Sequence, residues 1–153
     1  MSRIERVYVD NSVYGGYFDK EFAEWTELFF DEVDDGLFKI VHSSLIDTEL
    51  KPAPKYVRDF AKKYTENSEI ALITRKVVNL AKTYISEGVI GKKHWVDCIH
   101  IAAASIAGVN VLVSWNFRHV VNRNRILGYN RVNEKNGYSV LDIRTPGEVL
   151  NYG

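Results

Sequence analysis

The chain has 153 residues, 46% hydrophobic and 26% charged, with 20 basic and 20 acidic side chains. That length and balance suit one soluble globular domain and exclude a disordered segment or a uniformly basic nucleic-acid binder. Cys98 is the only cysteine, so no disulfide framework forms and a reducing, cytoplasmic setting fits best. No apolar run approaches the ~18 residues of a membrane span.

The charged opening Met1-Ser2-Arg3-Ile4-Glu5-Arg6 lacks the apolar run of a signal peptide and leads straight into a strand, Arg6 to Asp10. There Val7-Tyr8-Val9 runs into Asp10, and Asn11-Ser12 begins a turn. Gly15-Gly16 reads as a further glycine turn. From Asp19 to about Asp34 the period is helical, with Phe18, Phe22, Trp25 and Phe29 on one stripe. A surface helix with an aromatic core face accounts for the stripe; the alternative is that part of it docks a partner. Gly36 ends the helix, and Leu37 to Val41 reads as a second strand.

Ser43 or Ser44 then caps a short helix, Leu45 to Lys51, which Pro52 and Pro54 terminate. A helix over Lys55–Tyr64, a short strand over Ile70–Ile73 and a helix over Thr74–Glu87 follow. The helix His94–Ala107 is apolar on nearly every side, and Gly108 stops it. Val109–Val113 is a strand by its β-branching. A polar, arginine-bearing segment comes next, then a last strand over Tyr138–Ile143 and a short helix from Pro146. Strands alternate with helices throughout, which predicts an α/β fold with a parallel sheet and helices on both faces.

Charge is unevenly spread. Asp19 to Asp35 holds eight acids and one lysine, whereas Cys98 to Asn133 holds no acid while carrying Arg118, Arg123, Arg125 and Arg131. A local basic face able to hold phosphates is expected.

Asp10, at the carboxyl end of a parallel strand, sits where open α/β sheets bind ligands. Two further acids are candidates to join it. Asp47 and Glu49 lie ~200° apart on their helix, so one alone can face inward. The arc of Leu45, Ile46 and Leu50 selects Glu49, unless Glu49 is only a glutamate at the core boundary. Asp97 lies in the first turn of the apolar helix, where burial demands a partner; serving the helix N-terminus is its simpler role. His100, one turn on, reads more naturally as a satisfied core or supporting residue than as a ligand. Asn116 could ligate through its amide oxygen or serve as a helix N-cap.

Carboxylates without a His/Cys zinc set suit Mg²⁺ or Mn²⁺, and such ions serve phosphodiester hydrolysis. No Walker loop, G-x-G-x-x-G, G-x-S-x-G or zinc spacing competes. A receiver-like sheet would pair acids early and place a lysine after a late strand; this chain has Ser114-Trp115-Asn116 there.

In order and spacing, Tyr8–Ser12, Ser43–Leu50, Val96–Ala104 and Val111–Phe117 resemble the PIN domain. Within it the chain looks most like bacterial VapC-type toxins and their solitary relatives. The resemblance covers about residues 4–120 of a single domain, leaving a C-terminal extension of about 121–153. It implies a three-layer α/β/α sandwich around a mainly parallel sheet and a Mg²⁺- or Mn²⁺-dependent endoribonuclease, the toxin of a type II toxin–antitoxin pair. Asp10, Glu49 and Asp97 would bind the metal, and Ser114 would orient water or phosphate. Asn116 would complete the shell where many relatives carry Asp, weakening a second metal more than the first. Asn11 and Ser12 would neighbour the first acid, and Arg118 or His119 would steady the RNA. The same resemblance implies a homodimer and a cognate antitoxin whose tail covers the groove. The alternative is a catalytically weakened PIN-fold module that binds RNA or protein.

Overall fold

Alternation within the first strand sets the architecture. In β1 (Glu5–Val9), Val7 and Val9 belong to one apolar cluster and Tyr8 to another. A strand buried on both faces must be covered on both. The computed structural model describes residues 4–152, so the first three residues of the charged opening and Gly153 lie outside the described residues. Four further strands are present: β2 (Phe38–Ser43), β3 (Glu69–Ala71), β4 (Val111–Val113) and β5 (Asp142–Arg144). All pair in parallel, in the order β3-β2-β1-β4-β5.

Helices α1 (Asn11–Gly16), α2 (Ala23–Asp34), α3 (Ile46–Leu50) and α4 (Lys55–Thr65) bury Val13, Tyr14, Phe29, Phe30, Ile46 and Val57 with Val7 and Val9. Helices α5 (Arg75–Ser86), α6 (Trp95–Ala107) and α7 (Arg123–Lys135) pack with Tyr8 on the opposite side. The result is a three-layer α/β/α sandwich, as expected. The nearly all-apolar α6 is its central helix, buried from Cys98 through Ser105. Among the described residues, no helix is long and apolar enough to cross a membrane.

Several local expectations are corrected. Gly15 and Gly16 end α1 instead of forming a free turn. Residues 17–22 form turns, so α2 starts at Ala23, later than the periodicity suggested. Its stripe also divides: Phe29 is buried, whereas Trp25 is 46% exposed. The polar segment contains α7, whose core face is only Gly128, Tyr129, Val132 and Asn133. The segment from Pro146 is a run of turns. Residues beyond 120 join the same core, since Tyr129, Val132, Leu141 and Ile143 pack with Tyr8, and β5 pairs with β4.

The strand order places the sheet's reversal between β1 and β4. Strand carboxyl ends flanking such a reversal diverge into loops on opposite faces and leave a crevice. Asp10 directly follows β1 and Ser114 directly follows β4.

Candidate active site

Asp10 is only 7% exposed. Its Oδ2 accepts hydrogen bonds from Ser12 Oγ at 2.8 Å and Ser114 Oγ at 2.7 Å. Both hydroxyls are themselves held by the loop after β4. Trp115 N donates to Ser12 Oγ at 3.0 Å, and Asn116 N donates to Ser114 Oγ at 3.0 Å. The single Ser114 proton therefore goes to Asp10, which makes Ser114 a positioning residue for that carboxylate. Asp10 Oδ1 forms no hydrogen bond among the described residues and is left for another partner.

Trp115 buttresses this loop. Its indole N–H donates to Thr26 Oγ1 at 3.0 Å, and its ring stacks on Phe22 with centroids 4.4 Å apart. Gly16 makes room for it, since a Cβ at that position would lie 2.6 Å from Trp115 Cδ1.

Glu49 reaches across from α3 to His100 on α6, linking the two helical layers. His100 Nε2 lies 2.6 Å from Oε1 and 2.8 Å from Oε2. Only the Oε2 contact has hydrogen-bond direction, so the buried Oε1 has no donor aimed at it. On the other side of the ring, Nδ1 meets Tyr8 Oη at 2.6 Å. Burial alone would lower His100, but the Glu49 hydrogen bond and the charges of Asp10, Glu49 and Asp97 outweigh it and raise its pKa. Burial likewise pushes the Tyr8 phenol well up, so Tyr8 stays neutral. Asp47 is exposed, in keeping with the helical arithmetic. Asn11 and Ser12 share a cleft of about 330 Å³ with Glu49 and Pro52.

Asp97 is half-buried in the first turn of α6, and its carboxylate makes no hydrogen bond among the described residues. Its pKa is raised from the usual carboxylate range, chiefly by burial and then by the charge of Asp10, with Glu49 adding to the effect. The three acids thus lie within electrostatic reach of one another.

Asn116 serves a turn. Its Oδ1 accepts from Arg118 N at 3.2 Å and His119 N at 3.0 Å, so the oxygen expected to complete a metal shell is already committed. Arg118 is exposed beside it. The His119 ring lies 3.6 Å from that of His94, and its pKa is lowered by burial and by His94, Arg125, Arg118 and Lys93.

Among the described residues, no three His, Cys, Asp or Glu side chains form a ready metal cage. The donor set nevertheless fits a hard cation. Asp10, Glu49 and Asp97 supply only oxygens, and each retains at least one oxygen that accepts no hydrogen bond among the described residues. Residue types alone pointed to the acids, and the family resemblance to Ser114. They did not point to the Tyr8–His100 contact or to Trp115, although a tyrosine in a strand of buried valines signals a hydroxyl in need of a partner.

No family model matches the chain, and no curated protein matches it in sequence. The chemistry of the site therefore rests on its own side chains.

Proposed function

We propose that the chain is a divalent-metal-dependent endoribonuclease of the PIN type. The observation that carries this reading is the electrostatic coupling of Asp97 to Asp10 and Glu49 near the reversal between β1 and β4, which adds to burial in raising the pKa of Asp97. Like charges are gathered at such cost where a cation is to be bound. Asp10, Glu49 and Asp97 would hold Mg²⁺ or Mn²⁺, which supplies charge neutralisation at phosphate oxygens and a nucleophilic water. Ser12 and Ser114 fix Asp10, and His100, backed by Tyr8, fixes Glu49. Arg118 and His119 meet the RNA backbone on the loop after β4.

Cleavage of a labelled single-stranded RNA with Mn²⁺ tests the reading. Asp10→Asn and Asp97→Asn should fold with unchanged circular dichroism and lose at least 100-fold in rate, on the order expected for a lost metal ligand. Folded variants that cleave at the wild-type rate would refute it.

A second reading has one observation in its favour. The committed Asn116 oxygen leaves three acids and no fourth ligand, which suits a PIN-like RNA-binding module with weak catalysis. RNA binding without Mn²⁺-dependent cleavage would select it.

A further inference from the structure

A second charged feature lies outside the carboxylate cluster. A cleft of about 510 Å³ runs between Val89 and α7, lined by Arg118, Asn122, Asn124, Arg125 and Arg131. Its floor is rigid. Gly128 lets α7 sit against Val89, where a Cβ would meet Val89 Cγ1 at 2.7 Å. The Arg125 guanidinium donates to the Val89 carbonyl and pins the helix to the loop. At the cleft mouth, Asn122 caps α7 by accepting from Arg125 N at 3.2 Å, and this 13-residue helix adds the positive end of its dipole.

The positive charge there is uncompensated. Among the described residues, Arg6, Lys39, Lys55, Lys135 and Arg144 all form ion pairs. The cleft's Arg118, Arg125 and Arg131 and the nearby Lys93 form none, as do other surface cations, but here three arginines line one cleft and no acid occurs between Cys98 and Asn133. Holding like charges together on a fixed floor is unfavourable unless an anion completes the site. Two chain segments connect the cleft's surroundings with the carboxylates. The turn Lys92–His94 leads directly into α6, which carries Asp97, and the loop from Ser114 through His119 carries Arg118 into the cleft.

We propose that this cleft, with Lys93 beside it, is a metal-independent anchor for the phosphodiester backbone of single-stranded RNA, holding the strand whose scissile bond lies at the carboxylates. The identity of the polyanion rests on the ribonuclease reading. The concave shape and the three lining arginines, with the adjacent Glu87 already paired to Lys135, favour a flexible chain of regularly spaced phosphates over a flat anionic surface. The cations contact backbone, so the anchor adds affinity and little sequence preference.

The test uses a fluorescent single-stranded RNA 15-mer in EDTA, with anisotropy recorded from 50 to 200 mM salt. Wild type should bind with a steep salt dependence. Lys93 and Arg131 are both exposed, so Lys93→Gln/Arg131→Gln should melt like wild type. Losing two phosphate contacts should reduce its log–log salt slope by about 1.4 and weaken binding about tenfold. Lys62→Gln/Lys63→Gln, which removes two exposed cations from α4 in the opposite helical layer, should bind as wild type does. RNA binding that fails in EDTA, or a double variant with wild-type affinity and slope, would overturn the proposal, as would polyglutamate competing as well as unlabelled RNA. Binding that weakens as expected in a protein that never cleaves RNA with Mn²⁺ would support the anchor and remove the ribonuclease reading alone.

Discussion

Replacing His100 by leucine probes the contact that holds Glu49. The His100 side chain is 5% exposed and that of Glu49 15%. In His100→Leu, Glu49 keeps its place in α3 but loses the N–H that meets it. Breaking a fully buried pair from one side costs about 3–5 kcal/mol. The residual water access of Glu49 lowers this to about 2–3 kcal/mol, because the bared carboxylate is partly rehydrated or protonated. Glu49→Leu should cost less, about 1 kcal/mol, since a stranded histidine can shed its proton whereas a stranded carboxylate at neutral pH must take one up. The double variant leaves neither charge unpaired and should be more stable than the sum of the singles by at least ~1.5 kcal/mol. Urea unfolding followed by far-UV circular dichroism at pH 7 in EDTA measures all four proteins. Additive single costs, or a His100→Leu cost below about 0.5 kcal/mol, would show that the contact does not hold Glu49 in place.

Two further outcomes follow from the fold. Arg6 on β1 grips Glu69 on β3 in a two-point fork across β2, and that hydrogen bond holds the Glu69 carboxyl below its ordinary value of 4.5. A depressed native value gives stability that is present above the unfolded pKa and lost as pH falls through the native one. Glu69→Gln should therefore cost about 0.5–1 kcal/mol at pH 7, with the difference from wild type shrinking toward zero in acid; a difference independent of pH would contradict the fork. Gly16→Ala should displace Trp115, whose Cδ1 and Nε1 would lie 2.6 and 2.7 Å from the new methyl. A loss of about 1–3 kcal/mol with altered tryptophan fluorescence is expected, and an unchanged melting curve would contradict the close approach.

Legibility in the sequence followed the range of each interaction. The buried run Val7–Val9, the apolar α6 and the choice of Glu49 over Asp47 depend on short periodicities, and the structure has each in the expected place. Helix α1 was hidden because its closing Gly15-Gly16 imitates a turn, and the need for glycine at 16 comes from Trp115, far along the chain. Helix α7 was hidden by polarity. Asn133, one of its buried residues, is satisfied by Tyr84 and Ser105 from α5 and α6, which no local pattern reveals. Asn116 shows the same limit at the site. Its residue type allows ligand and cap equally, and only the positions of the Arg118 and His119 amides show which is made. The support of Glu49 by His100 and Tyr8 joins three separate segments and likewise has no signature along the chain.

The central claim is that Asp10, Glu49 and Asp97 together hold a divalent cation. Calorimetric titration of Mn²⁺ into the metal-free protein tests it most directly. One site should saturate below millimolar Mn²⁺, and Asp10→Asn, Glu49→Gln and Asp97→Asn should each weaken it by about 10–100-fold. No heat of binding up to 10 mM (about the upper end for a weak protein cation site), or binding untouched by all three substitutions, would contradict the account.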